Sequence, residues 1–174
     1  MSLPHEIKPA IFLDNLSTEH AHDYYSLLQH EQIKPFIPSQ CVPDNIASAK
    51  QELYNLYLAK TRGTGHYWGI FSDDQLIGTC GLHSLSSPTR TIEVSYEVHP
   101  HYWNRGIATA SVEYLIKRAP QEFRIDKILC FTLAQNLPSQ KVALKAGFKR
   151  VAYLKRDCYF NGQLVDRILF EITL

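Results

Sequence analysis

The residues best suited to chemistry lie between Glu93 and Ala110, where a strand-like stretch is followed by a tight turn and then a helix. The turn ends in Arg105-Gly106, and the helical pattern begins at Ile107. A helix N-terminus presents backbone N–H groups without partners and a partial positive charge, and both favour a diphosphate. Gly106 also allows the main chain to approach a ligand closely. An ordinary strand-to-helix connection has the same pattern, so both interpretations remain open.

Two carboxylates, Glu93 and Glu97, lie four residues apart on the strand before this turn. In a regular strand that spacing places both side chains on one face of the sheet. Either carboxylate, directly or through a water molecule, is a candidate general base. The alternatives are an ion pair between Glu93 and a neighbouring arginine, and a solvated face for Glu97.

Further along the chain, Asn136 is a good N-cap for a short helix.

Composition limits the class of protein. The 174 residues suffice for a single domain, which we assign to residues 1–174. Lysine and arginine number 18 against 17 acidic residues, and this near-neutral balance predicts no nucleic-acid partner. The sequence has neither a membrane-spanning apolar run nor the features of a secretory signal, so we expect a soluble, cytoplasmic protein without a membrane partner.

The cysteines and histidines do not form a metal-binding pattern. The four cysteines are widely separated, and Cys80 and Cys130 lie in apolar strand-like runs that are typical of buried thiols. Among the eight histidines, His99 and His101 share a turn without a third nearby ligand. We therefore predict no metal site.

Apolar periodicity predicts the order helix, helix, three strands, helix, strand, helix and C-terminal hairpin. Asp44 is the expected cap of the second helix, and Pro120 is expected beyond the end of the third. Lys127–Leu133 is predicted as a strand, Gly147 ends the fourth helix, and Asn161-Gly162 forms the hairpin turn. A strand–helix–strand unit in an otherwise antiparallel sheet implies one parallel pair and an α+β (mixed α/β) fold.

The chain resembles the GNAT superfamily of acyl-CoA-dependent N-acyltransferases in several spaced motifs. Trp103-Asn104-Arg105-Gly106-Ile107-Ala108 is similar to the family's pyrophosphate motif, Q/R-x-x-G-x-G/A, except at its first position. The pattern Tyr-Trp-x-x-Gly-x-Ala-Thr instead resembles the branch that acetylates the N-termini of ribosomal proteins. Asn136-Leu137-Pro138-Ser139 with Ala146-Gly147-Phe148, and Asn161-Gly162 followed by Asp166, are similar to further segments of that branch. The likeness extends over nearly the whole chain from about Ile11 onward.

The resemblance implies a mostly antiparallel twisted sheet with helices on both faces and one parallel pair that splays apart at the cofactor site. It implies acetyl-CoA as cosubstrate, with no metal. The residues that it places at the cofactor are Tyr96, Val98, Trp103, Asn104, Arg105, Gly106, Ile107, Ala108, Thr109, Asn136 and Ser139.

The resemblance also implies roles in catalysis. Glu93 corresponds to the strand glutamate that serves as base in several relatives, and Ser139 to a serine near the thioester sulfur. The Val98 amide is expected near the thioester carbonyl. The tyrosine that many members carry seven positions after the asparagine is missing, because Ala143 stands there.

The predicted activity is transfer of an acetyl group from acetyl-CoA to a primary amine by direct attack in a ternary complex. An α-amine has a pKa of about 7.8 and a lysine amine about 10.4, so neutralising lysine costs about 3.5 kcal/mol more. A single carboxylate therefore favours a protein or peptide N-terminus as acceptor. One alternative is transfer to a small-molecule amine such as a polyamine or aminoglycoside. The other is a non-catalytic CoA-binding module. A monomer or homodimer is expected.

Overall fold

A computed structural model describes residues 4–174. In these residues an eight-stranded sheet has the order β1-β2-β3-β4-β5-β6-β8-β7. The strands are β1 (His5–Lys8), β2 (Ile11–Asn15), β3 (His66–Ser72), β4 (Gln75–Ser86), β5 (Thr91–Val98), β6 (Lys127–Leu133), β7 (Lys149–Phe160) and β8 (Gln163–Thr173). The helices are α1 (Ala21–Gln29), α2 (Ile46–Thr61), α3 (Ile107–Glu122) and α4 (Leu137–Lys145).

Helices cover both faces of the sheet. Helices α3 and α4 pack over one face, where buried residues such as Leu115, Ile92 and Ile128 form the larger core cluster. Helices α1 and α2 cover the other face, where Leu27, Leu53 and other residues enclose a second cluster. Because each cluster joins helices to strands that are distant in sequence, the sheet holds both halves of the chain in one unit. The predicted fold class is confirmed.

The parallel pair is β5 with β6, and it is short. Pairing runs only from Thr91 opposite Lys127 to Glu93 opposite Leu129. Beyond these positions β5 continues to Val98, but the two strands are no longer paired. The sheet is therefore splayed, as predicted, and the gap between the two strand ends is called the wedge below.

Three details differ from the sequence predictions. Strands β1 and β2 were not predicted, because four and five residues are too few to establish an alternating pattern. The cap of α2 is Asn45, whose side chain accepts from the Ser48 N–H, and not Asp44. Pro120 lies inside the last turn of α3, and not beyond its end.

The C-terminal hairpin turns at Asn161-Gly162, as predicted, with φ of 48° and 88° at these two residues. The Asn161 side chain also accepts a hydrogen bond from the Ser39 N–H at 2.8 Å. This contact ties the hairpin tip to the loop between α1 and α2. The hairpin tip and the segment between the first two helices therefore meet over the same side of the sheet.

Candidate active site

A cavity of about 530 Å³ opens at the wedge and extends across the sheet face covered by α1 and α2. One wall comprises residues 94–97 of β5, residues 130–133 of β6, and the start of α4. The opposite wall is apolar and aromatic, with Tyr24, Ile37 and Phe160 among its residues. This central cavity therefore joins the wedge to the helix-covered face.

The turn before α3, here called the Gly106 loop (residues 103–109), has a backbone suited to anions. Asn104 and Gly106 have φ of 61° and 73°, respectively, which turns successive N–H groups toward one side. The first helical hydrogen bond joins the Ala110 N–H to the Gly106 carbonyl. Within residues 4–174, the N–H groups from Arg105 to Thr109 have no hydrogen-bond partner. Donors without partners at a helix N-terminus are suited to an anion such as a diphosphate.

Lys8 reaches the same loop from β1. A Cβ placed on Gly106 would lie 3.2 Å from Lys8 Cε and 3.4 Å from its Nζ. No ion pair or hydrogen bond of Lys8 is found in the described part of the chain. A cation beside a helix N-terminus is unfavourable unless an anion is bound there. Sequence reasoning missed Lys8, because only the unpredicted strand β1 places it beside the loop.

The end of β5 turns its main-chain groups into the wedge. The His99 N–H donates to the Ile77 carbonyl of β4 at 2.7 Å. Because hydrogen-bonded positions alternate in an antiparallel pair, Tyr96 and Val98 direct their N–H and C=O groups away from β4. The Trp103 indole N–H donates to the Val98 carbonyl at 2.6 Å. Trp103 thereby fixes the turn, and the Val98 N–H still faces the wedge.

The start of α4 also faces the cavity. Asn136 caps the helix by accepting the Ser139 N–H at 3.2 Å, so the capping interpretation is correct. The Tyr96 hydroxyl lies 2.9 Å from Ser139 Oγ and donates to the Ser139 carbonyl at 3.0 Å. Ala143, where many family members carry a tyrosine, is completely buried. A phenol is therefore present beside Ser139, but it comes from β5 and not from α4.

A buried hydroxyl on β6 lacks a partner. Thr132 is only 4% exposed, lines the central cavity, and its Oγ1 has no hydrogen bond within residues 4–174. A buried hydroxyl without a partner is costly unless a ligand completes its hydrogen bonding. The wedge therefore fits an amide-bearing arm such as pantetheine. Thr132 lies in an apolar strand with no motif, so sequence reasoning did not identify it.

Glu93 and Glu97 both line the central cavity, but their surroundings differ. Burial raises the pKa of Glu93, and the Arg167 guanidinium and the Ser84 hydroxyl offset part of that effect. Burial raises the pKa of Glu97 too, offset only by a hydrogen bond from Thr79 Oγ1 to Glu97 Oε2 at 2.7 Å. The expected solvated face for Glu97 is wrong, because its side chain lies beneath the α1 and α2 layer.

Membrane-spanning helices and metal-binding clusters are both missing from the described part of the chain. Within residues 4–174, no helix is long and apolar enough to cross a membrane. The same residues contain no group of three or more histidine, cysteine or acidic side chains arranged to hold a metal ion.

The chain belongs to the GNAT acetyltransferase family. The family model described as an acetyltransferase (GNAT) domain matches residues 11–149, which include β2 to β6, the Gly106 loop and α4. The protein is thus an acetyl-CoA-dependent acyltransferase, as the sequence predicts.

Curated relatives carry similar names. The chain is 29% identical over 152 residues to an uncharacterized N-acetyltransferase, YoaA, of Bacillus subtilis (strain 168), covering 86% of this chain and 78% of that protein. It is 26% identical to the ribosomal-protein-serine acetyltransferase of Escherichia coli (strain K12), covering 63% of this chain and 61% of that protein.

A solved structure of the ribosomal L7/L12 alpha-N-protein acetyltransferase RimL in complex with coenzyme A has the same fold. It superposes with a TM-score of 0.89, at 15% identity, covering 99% of this chain and 98% of that chain.

Proposed function

We propose that this protein transfers the acetyl group of acetyl-CoA to the α-amino group of a protein or peptide N-terminus, by direct attack in a ternary complex. The observation that carries the proposal is the central cavity, which joins the wedge and its main-chain donors to a pair of carboxylates on β5. The name of the relative from Escherichia coli supports the acceptor class.

The cofactor would bind mainly through main-chain groups. Amides of the Gly106 loop would hold the diphosphate, and Arg105 and Lys8 would supply positive charge. The pantetheine arm would lie in the wedge and pair with Tyr96 and Val98 like an additional strand. Thr132 Oγ1 is a further hydrogen-bonding group for the arm. Trp103 contributes by holding the turn in shape.

Catalysis requires a neutral amine, a polarised thioester and a proton for the departing thiolate. The Val98 N–H, directed at the thioester oxygen, would stabilise the developing negative charge by a few kcal/mol. Ser139, hydrogen-bonded to the Tyr96 hydroxyl, would supply or relay the proton to the thiolate. A free thiol has a pKa of about 8.5, so this assistance is modest. The base is Glu93 or Glu97, directly or through water, and family resemblance favours Glu93.

The acceptor class follows from the cost of neutralising the amine. An α-amine requires about 3.5 kcal/mol less than a lysine amine, since their pKa values differ by about 2.6 units. A single carboxylate, without a metal ion, is sufficient to neutralise an α-amine. The wall of the cavity opposite β5 and β6 includes the aromatic residues Tyr24 and Phe160.

The decisive experiment measures thiol release from acetyl-CoA with peptides of varied N-terminal residues, beside polyamines and aminoglycosides. We expect turnover with peptides, and mass spectrometry should place one acetyl group on the N-terminus. Turnover with small amines alone would reassign the acceptor. Binding of acetyl-CoA without thiol release from any amine would instead indicate a non-catalytic module.

A further inference from the structure

Within residues 4–174, Glu97 is a half-buried carboxylate on the cavity wall that forms no ion pair. Its Oε2 accepts the Thr79 hydroxyl, and no other hydrogen bond to its side chain is found within residues 4–174. Arg167 is the only Lys or Arg among the described residues that line the central cavity. Burying a charged group costs several kcal/mol unless it is paired. A half-buried carboxylate without a cation at a cavity wall is a candidate for binding a ligand.

Glu93, in contrast to Glu97, has a cation nearby. The Arg167 guanidinium and the Ser84 hydroxyl lie close enough to lower its pKa. Arg167 is itself held by Asp157, to which its Nε donates at 2.7 Å. Glu93 thus has positive charge nearby, but within residues 4–174 no ion pair joins it to an arginine, and Arg167 pairs with Asp157 instead.

The groups that face Glu97 come from every element packed around it, and none is a cation. On the face covered by α1 and α2 they are Tyr24 of α1, Glu52 of α2, Tyr67 of β3, Thr79 of β4, and Cys41 of the loop after α1. Tyr24 and Tyr67 have raised pKa values through burial and through Glu97, so both phenols stay neutral. An ammonium group entering this space meets negative charge and neutral hydroxyls.

The position of Glu97 along β5 places it next to the reacting bond. It directly precedes Val98, whose N–H faces the wedge, and its side chain lies on the face covered by α1 and α2. Glu93 lies four residues further from the Gly106 loop, at the last paired position with β6. The carboxylate nearer to the expected thioester is therefore Glu97.

We propose that Glu97 binds the acceptor's ammonium group and takes its proton, and that Thr79 is a positioning residue that orients the carboxylate. This assignment rests on the proposed acetyl transfer. The Glu97 carboxylate removes one proton from R–NH3+, and the neutral nitrogen attacks the thioester carbonyl carbon. The N–C bond forms, the C–S bond breaks, and the thiolate takes a proton through Ser139. The amide nitrogen releases its remaining excess proton, so the sum is amide, CoA thiol and one proton.

The test compares Glu97→Gln with Glu93→Gln, a matched change on the same face of the same strand. The substrates are acetyl-CoA and a peptide with a free N-terminal serine, and kcat/KM is measured from pH 5 to 9. Glu97→Gln should lower kcat/KM about a hundredfold or more at pH 7. It should also remove the decline of kcat/KM at low pH, here called the low-pH limb, which protonation of Glu97 causes. Glu93→Gln should keep that limb. The reverse result overturns the assignment.

Two further variants separate a catalytic from a structural carboxylate. Thr79→Val removes a donor to the ionised form, so the limb should move to higher pH while acetyl-CoA affinity stays unchanged. Glu97→Gln replaces a buried charge by a neutral group of the same shape, so its thermal midpoint at pH 8 should rise. If Glu97→Gln lowers the thermal midpoint and leaves the pH profile of kcat/KM unchanged, the role of Glu97 is structural.

The assignment and the proposed function fail in different ways. If the wild type binds acetyl-CoA and acetylates the peptide while Glu97→Gln remains fully active, only the role of Glu97 is wrong. If the wild type releases no thiol with any amine, the proposed function is wrong and the assignment with it.

Discussion

The two sides of the central cavity are built in different ways. The proposed cofactor side consists mainly of main-chain groups within one short segment, the end of β5 and the Gly106 loop. The acceptor side consists of side chains from α1, α2, β3, β4 and the C-terminal hairpin, which are far apart in sequence. The first side depends on backbone geometry at a few positions, and the second depends on how distant elements pack.

This difference has a consequence for substitutions. Main-chain donors survive most changes of side chain, so the cofactor side should be sensitive mainly at positions that fix the backbone or the charge. The acceptor side should respond to changes of single functional groups such as the Glu97 carboxylate. The predictions below test that contrast, beginning with the largest expected effect.

Gly106→Glu should abolish measurable acetyl-CoA binding. Gly106 has φ of 73°, a conformation that strains other residues, and the new carboxylate would repel the diphosphate. Losing two hydrogen bonds to a charged group, at about 1.5–3 kcal/mol each, weakens affinity by about a hundredfold or more. Calorimetric titration with CoA measures the change.

Gly63→Glu is the matched control for this experiment. Gly63 has φ of 67°, a Cβ added there would meet open space, and the residue lies outside the central cavity. The control carries similar backbone strain and should bind CoA normally. Equal affinity of wild type and Gly106→Glu would show that the loop does not hold the cofactor.

Ser139→Ala and Tyr96→Phe should each reduce turnover by about tenfold or less, because a thiolate of pKa about 8.5 leaves with little help. Ser139→Ala should leave CoA affinity nearly unchanged. The double variant should be no slower than the slower single variant, since the two hydroxyls form one hydrogen-bonded pair. Thiol release at saturating acetyl-CoA provides the rates, and fully additive losses would contradict a shared proton path.

Lys8→Met should raise the dissociation constant for CoA by about three- to tenfold at low salt, as expected for one partly exposed charge contact. The difference should shrink as ionic strength rises. Lys50→Met, on the exposed surface of α2, is the control and should bind like the wild type. An unchanged affinity for Lys8→Met at low salt would remove Lys8 from the cofactor site.

Glu122→Gln should affect stability and leave turnover unchanged. Glu122 accepts from Arg118 and pairs with buried His66 at 2.6 Å, on the sheet face away from the acceptor. Burial alone would raise the Glu122 pKa, but its hydrogen bonds from His66 and Arg118 lower it. Urea unfolding at pH 7.5 should show a loss of about 1–3 kcal/mol. A large loss of turnover would link this region to the active site.

The pair of His66 and Glu122 should also make the free energy of unfolding depend on pH. Burial lowers the pKa of His66 more than Glu122 raises it. Both groups therefore bind protons more weakly in the folded state, so their contribution is complete at neutral pH. Unfolding free energy should fall as pH drops below about 6.5, and further below about 4.3. Stability that rises on acidification through this range would contradict the assignment of a neutral, buried His66.

The sequence by itself determined the family, the element order from β3 onward and the Gly106 loop. These features depend on local patterns: apolar periodicity, turn residues and the special backbone of glycine. The Asn161-Gly162 hairpin and the strand at Lys127–Leu133 were predicted at their observed positions for the same reason. The Asn136 cap was also predictable, because capping joins residues only three positions apart.

Only the tertiary structure decided which side chains share the active site and in what state. Glu93 and Glu97 look equivalent in sequence, and the difference between them arises from Arg167 on β8 and Thr79 on β4. Lys8 likewise joins the Gly106 loop only because β1 pairs at the sheet edge. Burial and charge depend on neighbours that are distant along the chain, and a local pattern carries no record of them.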